Sequence, residues 1–218
     1  MPPHKPCADG PQAPQTECKL KRHTMFSAKT YAARRNMLRT KIGSGIILLP
    51  GNSLSPNNYP NNAYYFRQDS SFRYYFGLNT PSLAGLIDAD TGEEALYGDD
   101  FTVEDIIWTG PQPTLRELGA EVGVTATFPM AELEKRLRKA VSLGRKIHYL
   151  PPYRGETKLQ LSALLGIKPE LLHDYKSVEL MFAVAEMREK KSAEEVEAME
   201  RAFLIGYQMH TLAMHMCH

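Results

Sequence analysis

Histidine, cysteine, paired carboxylates and clustered aromatics are the residues of this chain with chemistry to offer. His210, His215, Cys217 and His218 crowd one end. His215 and His218 are one helical turn apart and share a face, whereas His210 and His215, five apart, do not. No carboxylate or second Cys/His pair completes a tetrahedral set, so no metal site is expected there. Residues 59–76 hold eight of the 20 aromatic side chains, with Arg67 and Arg73 among them. A base-stacking platform would look like this. Two arginines do not make a basic stripe, and a core-forming aromatic layer, with Arg67 and Asp69 bonding loop backbone, is the expectation. G-S-G at 43–45 precedes an apolar run instead of following one, which fits a helix stop and not a dinucleotide fingerprint. His148 lies among apolar neighbours and reads as a packed histidine. Glu93-Glu94 and Asp99-Asp100 read as solvated loop ends, and Asp88 and Asp90 as turn-bonding residues. Trp108, the single tryptophan, reads from chemistry alone as a core residue slightly ahead of a surface one. No nucleophile–base arrangement emerges.

The elements that must position these residues follow from periodicity. Ser27 caps a helix with Tyr31, Leu38 and Ile42 on one stripe, closed by Gly43 and Gly45. Ile46–Leu49 is a short buried strand. Residues 51–63 form a turn-rich loop. L-A-G-L-I-D-A-D and E-E-A-L-Y-G flank Thr91-Gly92 as a hairpin. Thr102 caps a short helix through Trp108. V-T-A-T-F, a helix carrying Met130, Leu133, Leu137 and Val141, K-I-H-Y-L-P and a helix closed by Gly166 then alternate. That pattern specifies an α/β fold with a mixed sheet flanked by helices. Ser192 and Glu195 open a last helix with Val196, Met199, Phe203 and Tyr207 on an apolar stripe.

Composition bounds the rest. The 218 residues carry 26 basic and 25 acidic side chains, a net charge of +1. That gives no footprint for nucleic acid or an anionic membrane. The apolar runs are too short to span a bilayer. Three cysteines near the chain ends make no disulfide framework and fit the cytoplasm. Residues 1–24, with five prolines and few large apolar side chains, read as a disordered leader with Met25 a candidate start. A secretory signal is not expected.

The order of four blocks resembles a known family. These are Y-Y-F-R-Q-D-S-S-F-R-Y-Y-F-G-L (64–78), L-I-D-A-D-T-G (86–92), I-W-T-G (107–110) and E-M-R-E-K-K-S-A-E-E-V (186–196). Together they resemble the N-terminal domain of Xaa-Pro aminopeptidases (aminopeptidase P), within the creatinase/prolidase-type M24 metallopeptidases. The resemblance implies a mixed sheet of roughly six strands, and three segments: the leader at 1–24, the N-terminal domain at 25–190, and at 191–218 the first helix of a pita-bread catalytic domain. It implies a longer enzyme that releases the residue preceding proline, with two manganese ions activating a hydroxide. The five metal ligands of that chemistry belong to the later domain. No catalytic and no metal-binding residue is therefore expected in this chain, which is expected to be inactive alone and to bind no cofactor. The resemblance assigns Trp108 to the substrate entrance or a subunit interface. It leaves Arg67 and Asp69 to the aromatic loop's fold. It implies proline-containing peptides and further copies of the chain as partners, with no nucleic acid and no membrane. A prolidase N-terminal domain and a non-catalytic peptidase-like binding module are the alternative readings.

Overall fold

The computed structural model describes residues 24–59 and 62–217. Five strands form one mixed sheet in the order β4-β3-β2-β1-β5. They are β1 (Ile46–Pro50), β2 (Ala84–Asp88), β3 (Glu94–Tyr97), β4 (Ala126–Phe128) and β5 (Ile147–His148). The hairpin expectation holds, since β2 pairs antiparallel with both β1 and β3. The outer strands run parallel to their neighbours, β5 to β1 and β4 to β3. The described sheet thus has five strands, against roughly six implied by the resemblance. β5 is shorter than its apolar run because Pro151 and Pro152 follow it and have no N–H for a ladder.

Both faces of the sheet are covered, which is why β1 reads as a continuous apolar run. Ile47 and Leu49 face a core built with α1 (Ala28–Ile42), α2 (Ser70–Phe76), α4 (Leu115–Glu121) and α7 (Val178–Glu189). Ile46 and Leu48 face the opposite core, built with α5 (Met130–Ser142) and α6 (Gly155–Leu165). Period-two alternation assigns successive β1 residues to the two cores. The remaining helices are α3 (Val103–Thr109) and α8 (Ala193–Met216).

The aromatic block proves to be two things. Asp69 caps α2, accepting from Ser71 and Phe72 N–H at 2.9 Å each. Within α2, Phe72, Tyr75 and Phe76 are buried, and Phe72 stacks on Phe76 with centroids 5.3 Å apart. That half is the expected core layer. The other half is not, because Tyr59, Tyr64 and Tyr65 stay on the surface, Tyr65 at 97 % exposure. Two glycines let this layer close up. Gly77 ends α2 at φ +70 with the Tyr31 ring against its Cα, and Gly85 in β2 lies under the Phe76 ring. A Cβ at either position would overlap an aromatic ring.

Arg35 is the polar keystone of the first core. It is fully buried on α1. Its Nε donates to Glu94 Oε2 at 2.7 Å, and its two terminal nitrogens donate to the Tyr75 and Val122 carbonyls at 3.0 Å each. One guanidinium therefore ties α1 to β3, α2 and the end of α4. Burial lowers its pKa, and Glu94 opposes that shift.

Candidate functional site

Trp108 sits on an element that encloses nothing. α3 has no buried residue. Trp108 is 84 % exposed, and Ile107 and Val103 stand out with it. The core reading of Trp108 is thereby corrected, because no second layer packs over α3. Capping holds this short helix instead. Thr102 N–H donates to Asp105 Oδ2 at 2.9 Å, and Asp105 N–H donates back to Thr102 Oγ1 at 3.2 Å. The Thr102 hydroxyl, which donates to Asp105 Oδ2 at 2.6 Å, and the Thr102 N–H together lower the Asp105 pKa. Gly110 closes the helix by donating to the Ile106 carbonyl at 2.9 Å.

The flanks of this segment are anchored by carboxylates. Asp100 Oδ1 accepts from Leu115 N–H at 2.6 Å, at the start of α4. Asp99 Oδ1 accepts from Met130 N–H at 3.1 Å, at the start of α5. A second capping box, Thr114 with Glu117, opens α4. Asp99 and Asp100 are therefore helix anchors and not merely solvated loop ends. Glu93 and Glu94 are corrected in the same way. Glu93 accepts two bonds from Arg136, at 2.7 and 2.8 Å, and Glu94 holds Arg35.

Asp88 bonds its turn as expected, accepting from Asp90 and Thr91 N–H at 3.1 Å. It also receives Arg145, at 2.6 and 2.9 Å. Burial pushes this carboxyl up, but Arg145 and the turn N–H groups outweigh it and hold it at about 2. His148 is buried, with Nδ1 2.7 Å from Ser177 Oγ and Nε2 3.1 Å from the Ser44 carbonyl. Burial and Lys146 lower its pKa. Arg67 enters the loop through its carbonyl, which accepts from Asn52 Nδ2 at 2.9 Å. The residue that ties this loop together, Gln68, escaped the sequence reading. Its Oε1 accepts from Asn52 and Asp69 N–H at 2.6 and 2.8 Å, and its Nε2 donates to Thr80 O at 2.7 Å.

The structure sets Trp108 on α3, while His148 and the cluster of Asp88, Asp90 and Arg145 bond the same Ser44-Gly45 turn, through the Ser44 carbonyl and the Gly45 N–H. Their bonds there are structural. His210, His215 and Cys217 are exposed on α8 and its end, and His218 lies outside the described residues. No group of three or more His, Cys, Asp or Glu among the described residues could hold a metal ion. The described residues do not fit a two-metal centre.

Fold and site define an α/β domain that presents a capped aromatic element at its surface. The sequence profile of the aminopeptidase P N-terminal domain matches residues 31–149, more than half of the chain, and the chain belongs to that family. Solved structures agree on the fold. Aminopeptidase P from Escherichia coli in a low-pH form superposes with a TM-score of 0.72 at 21% identity, over 88% of this chain and 46% of that one. Proline aminopeptidase P II from Yersinia pestis gives 0.72 at 22%, over 88% and 46%. Pseudomonas aeruginosa aminopeptidase PepP gives 0.72 at 21%, over 88% and 45%. The chain spans about half the length of these structures. A search of curated proteins finds no match.

Proposed function

We propose that the chain is the substrate-gating and oligomer-forming N-terminal part of a manganese-dependent, cytoplasmic Xaa-Pro aminopeptidase, acting on proline-containing peptides. Membership of the family supports the enzyme class. The observation that carries the gating role is Trp108, held 84 % exposed on a capped helix that has no buried side chain. An apolar ring kept in water by two caps is a contact surface for something else. The division of the chain at about residue 190 is part of this proposal. It rests on α7 ending at Glu189 and on α8 having no buried residue. Of the expected leader at 1–24, all but Thr24 lies outside the described residues. No helix among the described residues is long and apolar enough to cross a membrane.

Two measurements test the proposal. The purified 218-residue chain, supplied with manganese, should release no first residue from an Xaa-Pro peptide. Release at a rate proportional to the chain would overturn the assignment of catalysis to another segment. Replacing Trp108 with a photo-crosslinking benzoylphenylalanine should yield a chain-to-chain adduct on irradiation. A chain that stays uncrosslinked at every concentration overturns the interface role.

A further inference from the structure

A second site lies at the carboxyl ends of β1 and β5. The parallel strands β1 and β5 are neighbours, and their carboxyl ends send the chain to opposite faces. After β1 it reaches α2, whose Phe72 and Phe76 join one core. After β5 it reaches α6, whose Leu161 joins the other. Such a divergence opens a crevice beyond the strand ends, where open α/β sheets bind ligands. Here the crevice is a cavity of about 500 Å³. Leu49, Leu150, Met181 and Val184 give it apolar walls.

Its polar groups are uncommitted in a complementary way. The Tyr153 hydroxyl accepts from Asn52 Nδ2 at 3.3 Å and donates to nothing among the described residues. Arg188 packs 5.7 Å from the Tyr74 ring centroid and reaches Ser70 Oγ only at 3.5 Å. It forms no ion pair among the described residues. Asp69 spends Oδ1 on both cap bonds, and its Oδ2 accepts nothing among them. One cavity thus holds a cation and a phenol with donors to give, a carboxylate oxygen with room to accept, and an apolar wall. Tyr153 is exposed and Asp69 and Arg188 are half-buried, so these groups are open to a ligand that supplies the partners they lack.

We infer that this crevice binds a zwitterionic apolar amino acid, its carboxylate on Arg188 and Tyr153, its ammonium at Asp69, and its side chain against Leu49 and Val184. The inference stands on the cavity alone and is independent of the peptidase reading. The test is titration of the isotope-labelled 218-residue chain with L-leucine, leucinamide, N-acetyl-leucine and glycine, followed by amide NMR shifts. Leucine should saturate shifts around Asn52, Tyr153 and Val184, with a Kd on the order of 1 mM or tighter. Leucinamide lacks the carboxylate, N-acetyl-leucine the ammonium and glycine the side chain, so each should bind about tenfold or more weakly. Arg188→Gln and Tyr153→Phe should each weaken leucine binding with the ligand-free spectrum preserved. Tyr153 is 71 % exposed, so its variant keeps the fold even if Arg188→Gln does not. Absence of saturable shifts with leucine, leucinamide binding as well as leucine, or undiminished binding in Tyr153→Phe overturns the site.

Discussion

His148 shows how much a single buried group can constrain. The Ser44 carbonyl can only accept, so Nε2 must carry a proton. In the neutral ring, Nδ1 then accepts from Ser177, whose Oγ also accepts from Leu180 N–H at 3.2 Å as the cap of α7. Ser177 has one proton for two acceptors, since Glu179 Oε2 also lies 3.0 Å away. Protonating His148 therefore forces that hydroxyl to turn from the ring to Glu179. Burial and the neighbouring Lys146 lower the folded pKa from 6.5, while Glu179 pulls the other way. A histidine depressed in the folded state binds more protons when unfolded. Its contribution to stability is complete above pH 6.5 and is lost as pH falls from there through the lowered folded value. Denaturant titrations at falling pH should show this loss, and His148→Gln should flatten it; a wild-type profile flat from pH 7 to 5 would contradict it. Arg35 makes a companion prediction. Arg35→Ala strands Glu94 and two carbonyls and should cost about 3 kcal/mol or more in urea unfolding. A loss under about 1 kcal/mol would mean that these partners find other donors.

At the scale of elements, capping was legible and pairing across long stretches of chain was not. Thr102, Ser192 and Glu195 signal helix starts by type and spacing alone, and the structure closes each box. α2, α4 and α7 left weaker traces. The aromatics of α2 mask its period, α4 is only 7 residues long, and α7 merges into the apolar run 180–185. The carboxylate anchors were hidden for a different reason. Asp99 serves a helix that starts 31 residues later, and Arg35 pairs with Glu94 across 59. Such partners are set by topology, which periodicity does not encode. The Trp108 element was half legible, since its caps and apolar side chains were readable while its lack of a covering layer was not. That lack gives α3 its own prediction. Thr102→Ala should cost about 1 kcal/mol of local helix stability. With no buried residue on α3, the loss should appear as faster amide exchange over residues 103–110 and leave the global urea midpoint in place. A midpoint shift of the full size would show that α3 unfolds with the core.

The whole molecule combines a sheet covered on both faces with two helices, the short α3 and the long α8, that bury no residue. α8 has 24 residues and runs about 36 Å. Only its first turns engage the sheet domain. Glu195 lies 3.4 Å from Arg34, whose guanidinium is stacked among Phe26, Tyr31 and Tyr74, and Glu194 accepts from Thr30 at 2.9 Å. Beyond that latch, Phe203, Tyr207 and Leu212 stand exposed. An apolar stripe of this length in water favours association or local opening. Both outcomes are measurable on one sample. Sedimentation should show association that rises with concentration, and Phe203→Glu should suppress it while Trp108→Ala leaves this component in place. At the lowest concentrations, residues 197–217 should exchange their amides quickly. The latch should resist salt, because the Arg34 and Glu195 side chains are only 9 % and 14 % exposed and a pair this buried is weakly screened. Raising ionic strength should leave amide exchange at residues 193–199 nearly unchanged, and a marked acceleration there would show that the pair opens to solvent. Strong protection of α8 in a strict monomer would contradict this picture, because the stripe would then have found cover within a single chain.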